Sequence, residues 1–178
     1  MTTTVPVLTT GRLCLTWPSP AQIDGYYDAI INSNIFDTIQ WEGPSCRQEL
    51  HDWWAQNMLR DPYDFSLDLN FAVIENSTGR LIGGMGLRPV AGNHHIINIG
   101  YAFEPTSQGK GYATEAVGAM VDEAFRHRQA ERVFGKVFVG NMASRRVMEK
   151  LSFRLEGTHR RCIQKRQQWR DQWILAIT

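Results

Sequence analysis

The chain is poor in cysteine and in net charge. Its 178 residues include only three cysteines, Cys14, Cys46 and Cys162. An odd number at such distant positions fits neither a disulfide framework nor a set of zinc ligands. We therefore expect reduced thiols, a cytoplasmic location and no bound metal. The formal net charge of +1 gives no electrostatic reason to expect nucleic acid or an anionic membrane as the main partner.

Long apolar runs, internal repeats and low-complexity linkers are also missing. No apolar run approaches the roughly 20 residues that span a bilayer. The segment 1–15 lacks both the basic start and the continuous apolar stretch of a secretory signal. We expect one domain over residues 1–178, long enough to bury a substantial core.

Hydrophobic periodicity predicts a mixture of strands and helices. Predicted strands cover 12–17, 69–75, 81–90, 94–104, 132–139, 153–162 and 168–178. Predicted helices cover 21–33, 45–59, 113–125 and 142–151, and the third has the most regular apolar face. Ser45 and Gln48 have the spacing of a capping box at the start of the second helix. The order of elements indicates an α+β protein with helices packed on a mixed sheet.

The segment "SQGKGYATEA" (107–116) places two glycines directly before the most regular helix. Glycine can be needed there simply because its backbone angles suit a strand-to-helix connection. Alternatively, a bare backbone at a helix N-terminus presents its N–H groups to a phosphate. A Walker loop is excluded because no G-x-x-x-x-G-K-[ST] segment occurs. A dinucleotide fingerprint is excluded because Thr114 occupies the place of its third glycine.

Two motifs resemble those of one known family. Gln108, Gly111 and Ala113 form Q-x-x-G-x-A, and "NMASRRVMEKLSF" (141–153) follows about 30 residues later. Together they are similar to the coenzyme-binding segments of the GCN5-related N-acetyltransferase (GNAT) superfamily. Within it, the chain looks most like the branch that acetylates N-terminal amines of ribosomal proteins. The resemblance implies the GNAT fold: a mixed, mostly antiparallel sheet of six to seven strands, with helices on both faces and a splay between the fourth and fifth strands.

The resemblance also implies a binding site for acetyl-CoA. The exposed strand edge that would bind the pantetheine arm is carried over onto Tyr101, Ala102 and Phe103. Asn141 is either the N-cap of its helix, a ligand of the coenzyme arm, or both, and Ser144 is positioned to protonate the departing thiolate. Arg145, Arg146 and Lys150 are either a solvated helix face or a source of one ligand for the 3′-phosphate, for which Arg146 is our candidate. The predicted pyrophosphate site consists of Gln108, Gly109, Lys110, Gly111, Tyr112, Ala113 and Thr114.

The chain departs from the family where a general base is expected. Asn98 stands where many members have a glutamate, and an amide cannot accept the proton of the attacking amine. Glu42 and Glu104 are the remaining candidates that we assign to catalysis with Ser144. His94, His95 and Asp171 are further candidates. Each of these five residues can equally be an ordinary surface or turn residue, because charged side chains are mostly exposed.

The missing glutamate favours an acceptor amine of low pKa. An α-amine with a pKa near 8 needs about 1.4 kcal/mol to become neutral at pH 7, whereas a lysine side chain needs about 4.6 kcal/mol. We therefore predict an acetyl-CoA-dependent N-acetyltransferase acting on a protein or peptide N-terminus, as a monomer or homodimer. The alternatives are a small-molecule amine, bound by the aromatic-rich segment 36–65, and a non-catalytic acyl-CoA-binding module. The basic segment 159–170 is either a solvated hairpin face or a rim that attracts an acidic protein substrate or the coenzyme phosphates.

Overall fold

One mixed sheet of eight strands runs through the part of the molecule that the computed structural model describes, residues 6–58 and 60–178. The strand order is β1-β2-β3-β4-β5-β6-β8-β7, and every neighbouring pair is antiparallel except β5 and β6. The strands are β1 (Leu8–Thr9), β2 (Leu13–Thr16), β3 (Leu69–Glu75), β4 (Leu81–Val90), β5 (Asn93–Phe103), β6 (Arg132–Phe138), β7 (Arg154–Lys165) and β8 (Gln168–Ile177).

The predicted fold class is confirmed, and the strand count is one higher than the sequence predicted. The additional strand is β1, in which Leu8 and Thr9 pair with Leu15 and Cys14 of β2. Two residues are too few to show the alternation by which strands are recognised in a sequence. The predicted fourth and fifth strands are therefore β5 and β6.

Within residues 6–58 and 60–178, four α-helices pack on the two faces of the sheet: α1 (Pro20–Ile30), α2 (Arg47–Met58), α3 (Tyr112–Arg126) and α4 (Met142–Lys150). Helices α3 and α4 share one core with β2 to β6 and β8, in which the apolar face of α3 and Met148 of α4 are buried. Helices α1 and α2 cover the opposite face over β2 to β5, where Trp54 and Tyr26 are buried. No helix in the described part of the chain is both long and apolar enough to cross a membrane.

The helix starts differ from the expected caps. A capping box does begin α1, where Ser19 and Gln22 exchange hydrogen bonds. The capping box predicted at Ser45 and Gln48 is wrong, because Glu49 accepts from both the backbone N–H and the hydroxyl of Ser45 at 2.6 Å. A carboxylate one residue further on competes successfully with the amide of Gln48. Residue 59, the predicted end of this helix, lies outside the described residues.

The sheet opens between β5 and β6. These strands pair only where Ile96–Asn98 meet Arg132–Phe134, and both continue beyond that point without pairing to each other. The side-chain amide of Asn98 donates to the carbonyl of Phe134 at 3.1 Å, across the last pair before the opening. Gly135 follows on β6, where a Cβ atom would lie 1.9 Å from Cε of Met148. Glycine therefore lets α4 approach β6 closely, and the predicted splay lies between β5 and β6.

Candidate active site

The loop that precedes α3 has the backbone of an anion site. Gly109 and Gly111 have φ angles of +76° and +82°, a left-handed conformation that glycine adopts without a steric penalty. Gly111 is the N-cap of α3, and no side chain caps this helix end. Within the described residues, the backbone N–H groups of 109–114 have no hydrogen-bond acceptor. These amides and the positive end of the helix dipole can together hold a phosphate.

Arg12, which immediately precedes β2, holds this loop through hydrogen bonds. Its Nη1 donates to the carbonyl of Lys110 at 2.9 Å, and its Nε donates to the carboxylate of Glu115 at 2.7 Å. Its guanidinium also lies 4.6 Å from the ring centre of Tyr112. Thr10 adds a hydroxyl hydrogen bond of 2.6 Å to Glu115. The connection between β1 and β2 thus fixes both the loop and the first turn of α3, which sequence reasoning missed.

The hydrogen bonds to Glu115 change its ionisation. Partial burial raises the pKa of this carboxyl, but hydrogen bonds from Thr10 and Arg12 outweigh burial and bring the pKa below its usual value. Tyr112 donates its hydroxyl to Glu75, and this bond raises the pKa of the phenol while lowering that of Glu75. Glu115 and Glu75 therefore remain ionised at neutral pH. Glu115 holds Arg12, and Glu75 holds the side chain of Tyr112 at the start of α3.

Gln108 connects the loop to the end of β5. Its side-chain amide donates to the carbonyl of Phe103 at 3.0 Å, so the amide orients the loop from the strand end. Tyr101, Ala102 and Phe103 belong to the part of β5 that does not pair with β6. The structure therefore brings the predicted strand edge and the predicted phosphate loop together at one end of the splay. Lys110 is exposed there.

A pair of hydroxyl groups spans the splay. The Oγ atom of Ser144 donates to the phenol oxygen of Tyr101 at 2.8 Å, and the phenol donates to the carbonyl of Ser144 at 3.1 Å. Burial raises the pKa of Tyr101 to about 12, although the hydrogen bond from Ser144 acts in the opposite direction. Tyr101 is thus a neutral donor and acceptor at physiological pH, in direct contact with the predicted acid Ser144.

Asn141 caps α4 and also reaches the segment between α1 and α2. Its Oδ1 accepts from the N–H of Ser144 at 3.1 Å, and its Nδ2 lies 3.4 Å from the carbonyl of Thr38. The N-cap reading of Asn141 is therefore confirmed. Among the basic residues of α4, Arg145 pairs with Glu149 and lies over the ring of Trp173. Arg146 and Lys150 are exposed.

The two carboxylates assigned to catalysis are engaged elsewhere. Glu104 is fully buried, and its oxygens accept from Arg80 at 2.9 and 3.0 Å and from the hydroxyls of Thr106 and Ser107 at 2.8 Å. These four hydrogen bonds come from three residues and fix the orientation of the carboxylate. Within the described chain, Glu104 does not contact Ser144, so the structure places it as an anchor at the end of β5.

Glu42 pairs with a buried lysine at the tip of the terminal hairpin. The ammonium of Lys165, only 3% exposed, lies 3.0 Å from the carboxylate of Glu42 and donates to the carbonyl of Trp41 at 2.8 Å. Arg166 forms a second ion pair with Asp37 at 2.5 Å. The β7–β8 hairpin therefore fixes the segment 37–42, which connects α1 to α2.

The remaining base candidates lie apart from the hydroxyl pair. His94 and His95 stack on each other beside the β4–β5 turn, and His95 contacts the carbonyl of Gln129 at 2.7 Å. Asp171 accepts from the N–H of Arg161 at 2.7 Å and so holds a bulge of β7. Sequence spacing gives no sign of the contacts of His95 with Gln129 and of Asp171 with Arg161, because they join residues 34 and 10 positions apart.

An opened mixed sheet with a glycine loop before its central helix defines the class of protein, the GNAT acetyltransferases. An acetyltransferase of the GNAT family from Bacillus anthracis has this fold with a TM-score of 0.83 and 26% identity, over 97% of this chain and 98% of that one. RimL, a ribosomal L7/L12 α-N-protein acetyltransferase in complex with coenzyme A, shares the fold with a TM-score of 0.83 at 16% identity, over 97% of each chain.

Sequence comparison assigns the family. The Acetyltransferase (GNAT) domain matches residues 12–154, so the chain belongs to that family and contains an acetyltransferase domain. The uncharacterized N-acetyltransferase YnaD of Bacillus subtilis is 36% identical over 107 residues, which are 60% of this chain and 62% of YnaD. The match thus covers about three fifths of that relative. The predicted family is confirmed, and the β7–β8 hairpin lies almost wholly outside the matched domain.

Proposed function

We propose that the protein is an acetyl-CoA-dependent N-acetyltransferase whose acceptor is the α-amine of a protein or peptide. The observation that carries the proposal is the run of backbone N–H groups at 109–114, free of acceptors within the described chain, beside the unpaired end of β5. Coenzyme A has a diphosphate for the first feature and an amide-bearing arm for the second. The names of relatives and of structural neighbours such as RimL support this choice.

In this proposal the acetyl-CoA thioester lies in the splay. The N–H groups of Gly111 to Thr114 bind the diphosphate at the start of α3. The edge of β5 from Tyr101 to Phe103 binds the pantetheine amides, as a strand edge binds an added strand. Asn141 faces this edge from α4 and is the donor for the arm on that side. Arg146 is the exposed cation proposed for the 3′-phosphate.

The chemistry is a direct transfer. The neutral amine attacks the thioester carbonyl carbon, a tetrahedral intermediate forms, and the C–S bond breaks to release the thiolate, while the amine loses a proton to water. Alignment of the two substrates in the splay supplies the main acceleration. Backbone donors near the carbonyl oxygen stabilise the charge that develops there.

The hydroxyls of Tyr101 and Ser144 stabilise the leaving sulfur by donating a hydrogen bond. A phenol whose pKa is about 12 is a weaker acid than a thiol, with an ordinary pKa of about 8.5, by roughly 3.5 units. Full proton transfer from the phenol to the thiolate would therefore cost about 5 kcal/mol. The thiolate leaves as an anion that accepts a hydrogen bond, and solvent protonates it later. In this role the hydroxyl of Tyr101 or of Ser144 gives up its present hydrogen-bond acceptor and donates to the sulfur instead.

The geometry also supports an acceptor of low pKa. Glu104 is buried and accepts four hydrogen bonds from three residues, and Asn98 uses its amide to bridge β5 and β6. Neither side chain is free to remove a proton from an amine. Because neutralising an α-amine costs about 3 kcal/mol less than neutralising a lysine side chain at pH 7, we expect α-amines to react and ε-amines to react poorly.

The test measures thiol release from acetyl-CoA by the purified chain. One set of peptides has a free N-terminus and no lysine, and the matched set has a blocked N-terminus and one lysine. We expect release with the first set at a kcat/KM at least tenfold higher than with the second. A preference for lysine would contradict the acceptor class. Calorimetric binding of CoA without acetylation of any amine would instead indicate an acyl-CoA-binding module.

A further inference from the structure

Two cations lie near the start of the splay, on the face opposite α3 and α4. Arg88 of β4 pairs with Asn98 of β5, and its side chain leans along the sheet over Gly100. A Cβ atom at Gly100 would lie 2.8 Å from Nη1 of Arg88. Because Gly100 has no side chain, the guanidinium of Arg88 can lie over it. This position is beside Asn98, which stands where many family members have a glutamate.

Lys136 occupies the facing position on β6. Phe134 is the last residue of β6 that pairs with β5, and Lys136 is the next residue along β6 whose side chain points to the same face. It is exposed and lines a shallow cavity of about 380 Å³ together with Ile96, Phe134, His159 and Ile174. The two cations thus flank the start of the splay, and an apolar hollow continues away from them.

The acidic side chains nearby leave hydrogen-bond donors of both cations unused, although Asp68 forms an ion pair with Arg88. Asp68 lies 3.8 Å from Nε of Arg88, beyond hydrogen-bond distance, and equally far from Arg60. Glu156, in the hollow, forms a bidentate pair with Arg132. Lys136 has no ion-pair partner among the residues that the structure describes. Charge-assisted donors therefore remain available at a place where a positively charged acceptor alone would be repelled.

We infer that the acceptor carries a carboxylate within a few bonds of its amine, and that Arg88 and Lys136 bind this carboxylate. The inference rests on the proposed function, because it requires the thioester to lie in the splay. A carboxylate between the two cations offsets the repulsion of the ammonium form. It also leaves the amine directed at the opening beside Asn98, while the rest of the acceptor extends into the hollow lined by Phe134 and Ile174.

The test compares acceptors that differ in one charge. Lysine-free peptides with glutamate or glutamine as second residue form one matched pair, and the free amino acid alanine and its amide, compared at equal concentration of neutral amine, form the other. We expect kcat/KM about fivefold higher for the acidic member, mainly through KM, which corresponds to about 1 kcal/mol. The preference should decrease in 0.5 M salt. The pair of acceptors that gives the larger kcat/KM shows whether the acceptor bearing the carboxylate is a peptide or a free amino acid.

Variants assign the preference to the two cations. Arg88→Gln and Lys136→Gln should each bring the ratio between acidic and neutral acceptors close to one and leave the Kd for CoA unchanged. The control is Arg126→Gln, an exposed cation at the end of α3 on the other face, which should retain the full ratio. This control separates a local contact from a general change in net charge.

Two results would overturn the inference. Equal rates on acidic and neutral acceptors with an active enzyme would exclude carboxylate recognition and leave the proposed function standing. A shifted pH profile in the variants, with no difference between acidic and neutral acceptors, would show that the cations act on the amine's pKa instead. Failure to acetylate any amine would count against the proposed function, and CoA calorimetry separates that failure from a misfolded preparation.

Discussion

Replacement of Gly111 by alanine tests the phosphate loop most directly. The residue has φ = +82°, and a left-handed conformation costs an alanine about 1 kcal/mol or somewhat more. Its Cβ would also lie 3.3 Å from Nη2 of Arg12, the guanidinium that holds the carbonyl of Lys110. We expect a melting temperature lower by roughly 2–4 °C for each kcal/mol lost in a chain of this size. If the turn shifts so that one amide no longer reaches the diphosphate, the Kd for CoA should rise about tenfold.

Gly92→Ala is the matched control. Gly92 has φ = +79° in the turn between β4 and β5, and nothing lies within 4 Å of its Cβ position. It therefore carries the same backbone strain as Gly111→Ala, far from the loop. Differential scanning fluorimetry should show similar losses for both variants, whereas calorimetry with CoA should show weaker binding only for Gly111→Ala. Equal affinity for CoA in the two variants would refute the assignment of residues 109–114 to the diphosphate.

Three further predictions concern other parts of the site. Gly135→Ala should destabilise the protein by about 1–3 kcal/mol through overpacking against Met148, and the double variant with Met148→Ala should lose less than the sum of the two single losses in urea unfolding. Tyr101→Phe should lower kcat about tenfold by removing one donor to the sulfur, with the Kd for CoA unchanged; an equal loss in both would indicate a structural role. Because the pKa of Glu115 is lowered in the folded state, its stabilisation is present above its unfolded pKa and lost as pH falls through the folded pKa. The stability of Glu115→Gln should therefore depend less on pH than that of the unsubstituted chain in urea unfolding between pH 3 and pH 6.

Local patterns predicted the elements well where turn residues enclose them. The bounds of β3 and β4 agree with the predicted 69–75 and 81–90, because the turn segment 76–79 separates two apolar runs. The capping box predicted for α2 was wrong because both Gln48 and Glu49 lie within four residues of Ser45. Which of the two side chains reaches Ser45 depends on the backbone conformation, which the spacing does not show. The two-residue strand β1 carried no pattern at all.

The site was predictable in proportion to how local its parts are. The glycine loop and the motif around Asn141 lie within short segments, and their spacing was enough to find them. The contact between Arg12 and Glu115 spans 103 positions, and that between Tyr101 and Ser144 spans 43. Such pairs leave no trace in periodicity, because any charged or hydroxyl residue on the right face would look the same in the sequence.

The buried ammonium of Lys165 gives the terminal hairpin an influence beyond its own strands. It fixes the backbone of Trp41 and the carboxylate of Glu42, although the match to the family's domain ends at residue 154. Exchanging this hairpin for that of another protein would therefore move the segment 37–42, which includes the Thr38 carbonyl near Asn141, and leave the loop before α3 in place. Grafting one antiparallel ribbon would thus change one side of the candidate site without altering residues 109–114.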